Sequence, residues 1–288
     1  MKTGYFPGCS LHSTAKNYES STQAVLKTLG VQLEEIPDWN CCGSTPAHQT
    51  DHLLALSLSA RNLALAEKAG MKEVMAPCAA CFNHLRTAEV ECAEDKKKHE
   101  EVQKAIEMNY KNQVHVLNIL ELLVDRIGIQ NIAKKVKKPL RGLRVAPYYG
   151  CMLTRPVKIA QFDDPINPQS MDRLLEALGA EVVSWGAKTD CCGAAHVLTR
   201  QEVVLELTGR IVYQAKEAHA DAIATACPMC MSNLDLRQGA IEKATGKETK
   251  VPVMYITELL GMALGIPNSE LGTRKHVVST TTVTSKIS

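Results

Sequence analysis

Long apolar runs, an apolar leader and aromatic side chains are what this sequence has least of. No stretch of about 18 apolar residues occurs, so no helix is expected to cross a bilayer. The N-terminus passes straight into Tyr5-Phe6-Pro7-Gly8-Cys9 without an apolar leader, so secretion is not expected and a cytoplasmic location is. Three Phe and two Trp among 288 residues leave little for stacking nucleobases. A net charge of +2 provides no basic footprint, so nucleic acid is not an expected partner. Two cofactor signatures are missing as well. No Cys-x2-Cys-x2-Cys-x3-Cys-Pro run marks a ferredoxin module, and no Gly-x-Gly-x-x-Gly follows the first expected strand.

Cysteine, by contrast, is abundant. Ten of the eleven cysteines form one pattern written twice. The first copy is Cys9, Cys41-Cys42-Gly43 and Cys78-Ala79-Ala80-Cys81; the second is Cys151, Cys191-Cys192-Gly193 and Cys227-Pro228-Met229-Cys230. The gaps are 31 and 35 residues in the first copy and 39 and 34 in the second. Such self-similarity is a duplicated unit. It divides the chain into residues 1–136 and 137–267, each of ordinary domain size, with 268–288 as a C-terminal tail or arm. In a protein not expected to be secreted, this many cysteines point to metal ligands or redox groups rather than to a disulfide framework.

The apolar periodicity alternates between strand and helix. Short strands are expected at 3–6, 31–36, 73–76 and 114–117, with helices at 17–29, 51–69, 86–111 and 118–127. The second half repeats the order: strands near 143–146, 180–184, 222–225 and 251–254, helices at 171–178, 200–219 and 256–264. This alternation marks an α/β fold, with a small parallel sheet flanked by helices in each half. The cysteines follow strands, which puts them at the strand carboxyl ends, where open α/β sheets carry their sites.

Thiolates are soft ligands that select zinc, copper(I) or iron–sulfur clusters. A lone Cys-x-x-Cys does not distinguish these. The vicinal pairs Cys41-Cys42 and Cys191-Cys192 are sharper, because neighbouring side chains diverge and suit several irons better than one tetrahedral ion. Five thiols per copy also exceed the four that a zinc site or an ordinary cubane takes. Zinc in one copy, the second above all, remains the alternative. Gly43 and Gly193 permit close backbone approach beside each pair. Cys92, outside the pattern, reads as a small buried hydrophobe.

The doubled Cys…Cys-Cys-Gly…Cys-x-x-Cys pattern resembles the CCG-domain family and, within it, the two-copy B subunits of heterodisulfide reductases. The resemblance extends to about residue 265. It implies two pseudo-symmetric CCG domains and two noncubane [4Fe–4S] clusters, each held by five cysteines. Cys9, Cys41, Cys42, Cys78 and Cys81 would hold one cluster, and Cys151, Cys191, Cys192, Cys227 and Cys230 the other. The implied activity is reduction of the CoM-S-S-CoB heterodisulfide by paired one-electron transfers, in an anaerobic setting. Implied partners are the C subunit with its cubane clusters and the flavin-bearing A subunit, with hydrogenase or formate dehydrogenase polypeptides as further candidates. The other reading is a CCG-type electron-transfer component of a different oxidoreductase, or of a related complex acting on another sulfur compound. Proton donors are needed near the clusters. His48 and His196, each a few residues past a Cys-Cys-Gly turn, rank ahead of His12 and His84. The anionic groups of the heterodisulfide call for basic residues, with Arg86, Arg155, Lys188, Arg200 and Arg237 as candidates near cysteines in sequence.

Overall fold

The computed structural model describes residues 1–287. Among these, eight short strands build two four-stranded sheets. The first contains β1 (Lys2–Tyr5), β2 (Gln32–Glu35), β3 (Glu73–Ala76) and β4 (His115–Asn118) in the order β2-β1-β3-β4. The second contains β5 (Arg144–Tyr148), β6 (Glu181–Val182), β7 (Ala222–Thr225) and β8 (Val253–Tyr255) in the order β6-β5-β7-β8. All pairings are parallel, with helices on the crossovers. The duplication in the cysteines is thus a duplication of topology. Parallel strands buried on both faces need apolar side chains throughout. Val74, Met75, Val116 and Leu117 supply them in one sheet, and Val145, Ile223, Ala224 and Met254 in the other, all fully buried. One apolar core runs through both halves. We divide the chain at the connection around Lys137, whose N–H donates to Ala263 O at 2.9 Å.

Two expected helices differ in detail. The charged stretch 86–111 is two helices, Ala79–Glu94 and Lys96–Ile106. Asp95 leaves helical geometry and its carboxylate accepts from Lys98 N at 3.1 Å, so an aspartate that favours an N-cap over a helix interior separates them. The segment 118–127 opens with a capping box between Asn118 and Glu121, then widens to a π-helix over Leu122–Gly128.

The halves interlock. The Tyr18 and Tyr255 rings stack at 3.9 Å between centroids and 3° between planes. Ser21 Oγ meets Thr257 Oγ1 at 2.7 Å. Asn83 Nδ2 donates to Met152 O and Arg155 O at 3.0 and 2.9 Å, so a first-half helix holds the loop after Cys151.

Residues 268–287 lie folded on their own chain rather than extending as a tail. Val277 and Val278 N–H groups donate to the Asp235 carboxylate at 2.7 and 2.9 Å, and Lys286 pairs with Asp221 at 2.7 Å. His276 is buried, and its Nε2 lies 2.9 and 3.0 Å from the carboxylate oxygens of Glu258, itself fully buried. Composition alone suggests mobility; these buried polar anchors are tertiary and leave no periodic trace. Burial lowers the His276 pKa and the Glu258 contact raises it, and the net direction is upward. The stabilisation from this pair is therefore complete below the unfolded histidine pKa of about 6.5 and is lost as pH rises through the raised folded value. His276→Gln should cost about 3 kcal/mol at pH 6, as a broken buried pair does. The gap from the parent should narrow above that folded value, as read from the unfolding midpoints of both proteins across pH 6–10.

Candidate functional site

Three strand ends supply each set of five thiols. Cys9 lies on the short helix Gly8–Leu11 after β1, Cys41 and Cys42 on the loop after β2, and Cys78 and Cys81 at the start of the helix after β3. Cys151, Cys191–Cys192 and Cys227–Cys230 repeat these placements after β5, β6 and β7. With the order β2-β1-β3-β4, the chain reverses direction across the sheet between β1 and β3, and the crevice beyond their carboxyl ends is where such sheets place ligands. Cys78 and Cys227 are N-cap residues of their helices, so the N-terminal partial positive charge favours thiolates there. Pro228 takes the first helical position, where its missing N–H costs nothing.

All eleven cysteines are free thiols. Cys42 and Cys81 lie 3.6 Å apart, as do Cys192 and Cys230, and Cys151 lies 4.0 Å from Cys191. Each set has a buried trio (Cys42, Cys78, Cys81; Cys192, Cys227, Cys230) and a more accessible pair (Cys9, Cys41; Cys151, Cys191). The sets also meet, because the Cys78 and Cys227 thiols lie close enough for each to shift the other's pKa. This crowding splits the thiol pKa values. Hydrogen bonds from neighbouring thiols lower Cys42 and Cys227, and Cys191 falls to about 6 through Cys151. Their partners Cys41, Cys78, Cys81, Cys151 and Cys230 are raised, by the same thiol contacts first and then by burial. All ten could ionise together only with positive charge among them, which a bound metal group would supply.

The space fits a compact group. A cavity of ≈ 90 Å³ is lined by all five cysteines of the second set. Ala79 and Ala80, from the first copy's Cys-x-x-Cys, wall its other side. Among the described residues no group of three or more His, Cys, Asp or Glu side chains gathers as ligands of a single ion. Five thiols lining one cavity exceed the four ligands that a tetrahedral zinc takes and suit a cluster of several metal ions. Cys92 is buried apart from both sets, and burial pushes its thiol up to about 11.

The nominated histidines are placed unequally. His196 is exposed and lies close enough to Cys191 to favour its thiolate. His48 is exposed, 5.8 Å between ring centroids from both His52 and His84. His84, ranked lower in sequence, is the imidazole beside Cys42, and burial lowers its pKa. His12 packs on Trp39 and reaches toward Glu35 at 3.7 Å. Most of the basic candidates are engaged elsewhere. Arg86 is buried with Glu89 and His115, Lys188 pairs with buried Asp172, and Arg200 pairs with Glu202 at the surface. Arg155 donates to Thr189 O beside Cys151 and Cys191.

Sequence reasoning passed over Gly8 and Gly150, although a glycine precedes the first cysteine in both copies. Both have φ of +66°, and a Cβ there would lie 2.8 Å from Cys81 Sγ and 3.1 Å from Cys230 Sγ. Positive φ costs a non-glycine residue about 1–2 kcal/mol, and the sulfur must move besides. Gly8→Ala should therefore strip about half of the bound metal while Gly30→Ala, whose Cβ meets nothing within 4 Å, keeps it all. Metal content per chain after anaerobic purification decides this, and equal content in the two variants would refute the close-approach role.

Comparison with known proteins agrees with this arrangement. A profile of the CCG cysteine-rich domain matches residues 3–86 and 145–235. The 8-methylmenaquinol:fumarate reductase membrane anchor subunit of Wolinella succinogenes is 35% identical over 280 residues, covering 96% of this chain and 97% of that protein. The B subunit of a ferredoxin/F420H2-dependent CoB-CoM heterodisulfide reductase from Methanosarcina acetivorans is 30% identical, covering 99% and 97%. Among solved structures, a hypothetical protein from Helicobacter pylori superposes with a TM-score of 0.77 at 14% identity, over 96% of this chain and 52% of that one, which speaks for the fold alone. With two matched repeats, near full-length relatives and the doubled cysteine geometry, this chain belongs to the CCG cysteine-rich domain family, the family of the heterodisulfide reductase B subunits.

Proposed function

We propose that this chain is the paired-cluster component of an oxidoreductase complex of the heterodisulfide reductase type, holding two noncubane [4Fe–4S] clusters and reducing a disulfide to two thiols. The observation that carries this reading is the Cys78–Cys227 contact, which sets two five-thiol sites side by side. Cleaving a disulfide takes two electrons and two protons. Clusters of this kind exchange electrons one at a time, so two together match the requirement. The protein's part is to hold, shield and protonate. The buried trios anchor the inner face of each site, and the helix N-termini at Cys78 and Cys227 offset its negative charge. The Tyr18–Tyr255 stack closes the back of the inter-site contact. Burial first, and then Cys227 and Cys78, hold the Tyr18 phenol well above its ordinary range, so it stays protonated there. His84 beside Cys42 and His196 beside Cys191 are suited to pass protons, with His48 linking His84 to the surface. CoM-S-S-CoB is the first disulfide to test, because four relatives carry it in their names. Electrons would arrive from partner polypeptides, a cubane-cluster C subunit and a flavin-bearing A subunit in this reading.

A second reading is favoured by the relative at 35% identity, which belongs to a menaquinol-linked fumarate reductase. In that case the same two sites would accept electrons from a quinol and relay them onward. No helix among the described residues is long and apolar enough to cross a membrane, so any membrane contact by those helices would be peripheral.

The complex purified without oxygen should carry about eight irons per copy of this chain beyond those of its partner subunits. With a reduced viologen dye it should release both thiols from CoM-S-S-CoB. Changing Cys191 and Cys192 together to Ala should cut that rate by at least about a hundredfold and remove about four irons per copy of this chain. Full thiol release by the double variant would sink the two-site scheme; reduction of the clusters by a menaquinol analogue without any thiol release would favour the second reading.

A further inference from the structure

A cleft of ≈ 590 Å³ opens between the two halves. Four of its lining residues, Ser44, Ala194, Ala195 and Met229, also line the five-thiol cavity, so the cleft leads directly to the second set. Its walls come from the segments just past both Cys-Cys-Gly turns, and its floor from the helix Pro228–Leu236. Its chemistry is lopsided. Pro46, Val197 and Leu198 face it with the alanines and Met229, and Arg237 is the one charged side chain in the lining among the described residues. Arg237 is held in place, with Nε donating to Asn233 Oδ1 at 2.8 Å, while Asn233 Nδ2 donates to Cys192 O at 2.9 Å. Leu198 and Leu236 sit in the lining, 97% and 58% exposed, apolar surface that gains from being covered.

We propose that this cleft is the substrate site, and that it holds an uncharged hydrocarbon or ring segment of a two-electron carrier, with a place for one anionic group at Arg237. An anion drawn into such a lining without a partner loses hydration that nothing there replaces, so further charged groups stay outside in water. The apolar segment gains with the area it covers. The assignment rests on the paired-cluster reading above and adds where the carrier lies and what part of it is recognised. Two sources share this chemistry. A lipophilic quinol would give up two electrons and two protons to become the quinone, with the two clusters as electron acceptors. A disulfide with an apolar arm would take two electrons from the same clusters and two protons to become two thiols.

The test uses the intact complex, isolated without oxygen through a tag on this chain, with Leu198→Asp, Leu236→Asp and Arg237→Gln. Leu198 and Leu236 are exposed enough to be replaced without opening the core. Each variant is assayed for oxidation of a decyl-substituted menaquinol and for reduction of CoM-S-S-CoB by a reduced dye. Iron content and the dithionite-reduced electron paramagnetic resonance signal serve as controls. Both leucine variants should raise KM by about tenfold or more for the carrier that the complex uses, with iron unchanged. If that carrier is the quinol, Arg237→Gln should leave KM within about twofold; if it is the disulfide, Arg237→Gln should raise it as well. KM unchanged for both carriers in the leucine variants, or turnover of neither carrier by a parent complex with intact clusters, overturns the assignment. Iron far below about eight per copy of this chain, beyond what the partner subunits carry, instead removes the paired-cluster reading beneath it.

Discussion

Ten thiols crowded beyond the ends of two sheets set the terms for the rest of the molecule. Sulfur atoms 3.6–4.0 Å apart cannot all ionise near neutral pH, because each new thiolate raises the pKa of its neighbour. The thiols divide into lowered and raised partners, and only positive charge among them relieves the conflict. Nearby structure helps: helix N-termini at Cys78 and Cys227 add partial positive charge, glycines at 8 and 150 let backbone approach sulfur, and alanines at 79 and 80 leave room.

Duplication makes the two sites alike, and the interface between the copies brings them into contact. The first copy helps build the second site. Asn83 holds the loop after Cys151, and Ala79 and Ala80 wall the second cavity. Tyr18 stacks on Tyr255 behind the Cys78–Cys227 contact. The copies have also diverged. His84 stands beside Cys42, whereas Asn233, three residues past Cys230 as His84 is past Cys81, bonds to the Cys192 carbonyl and steadies Arg237. The first site is therefore the better supplied with imidazoles, and the second opens to the apolar cleft.

The strand–helix alternation was readable because it is local. Strands such as 73–76 and 222–225 are apolar runs bounded by turn residues, and their lengths match the expectation. The break at Asp95 was legible in principle, since an aspartate before a lysine run is an N-cap signal, but the charge of the whole stretch masked it. The fate of 268–287 was not legible, because its anchors Asp235 and Glu258 lie far away along the chain. Likewise nothing in the spacing of Arg86 or Lys188 reveals that each is paired with an acid, Glu89 and the buried Asp172. Proximity to a cysteine in sequence says little about proximity to the site when three separate strand ends build it.

Residue identity and spacing by themselves determined the duplication, the α/β alternation, the family and the candidate ligands, because each is carried by contacts close in sequence or by a pattern repeated along it. Only the tertiary structure decided that the two thiol sets touch through Cys78 and Cys227, that His84 rather than His48 lies beside Cys42, and that the cleft beside them is apolar with a single arginine. The physical reason is that these properties depend on how the two sheets face one another, and that packing is set by residues such as Tyr18 and Tyr255, more than two hundred positions apart.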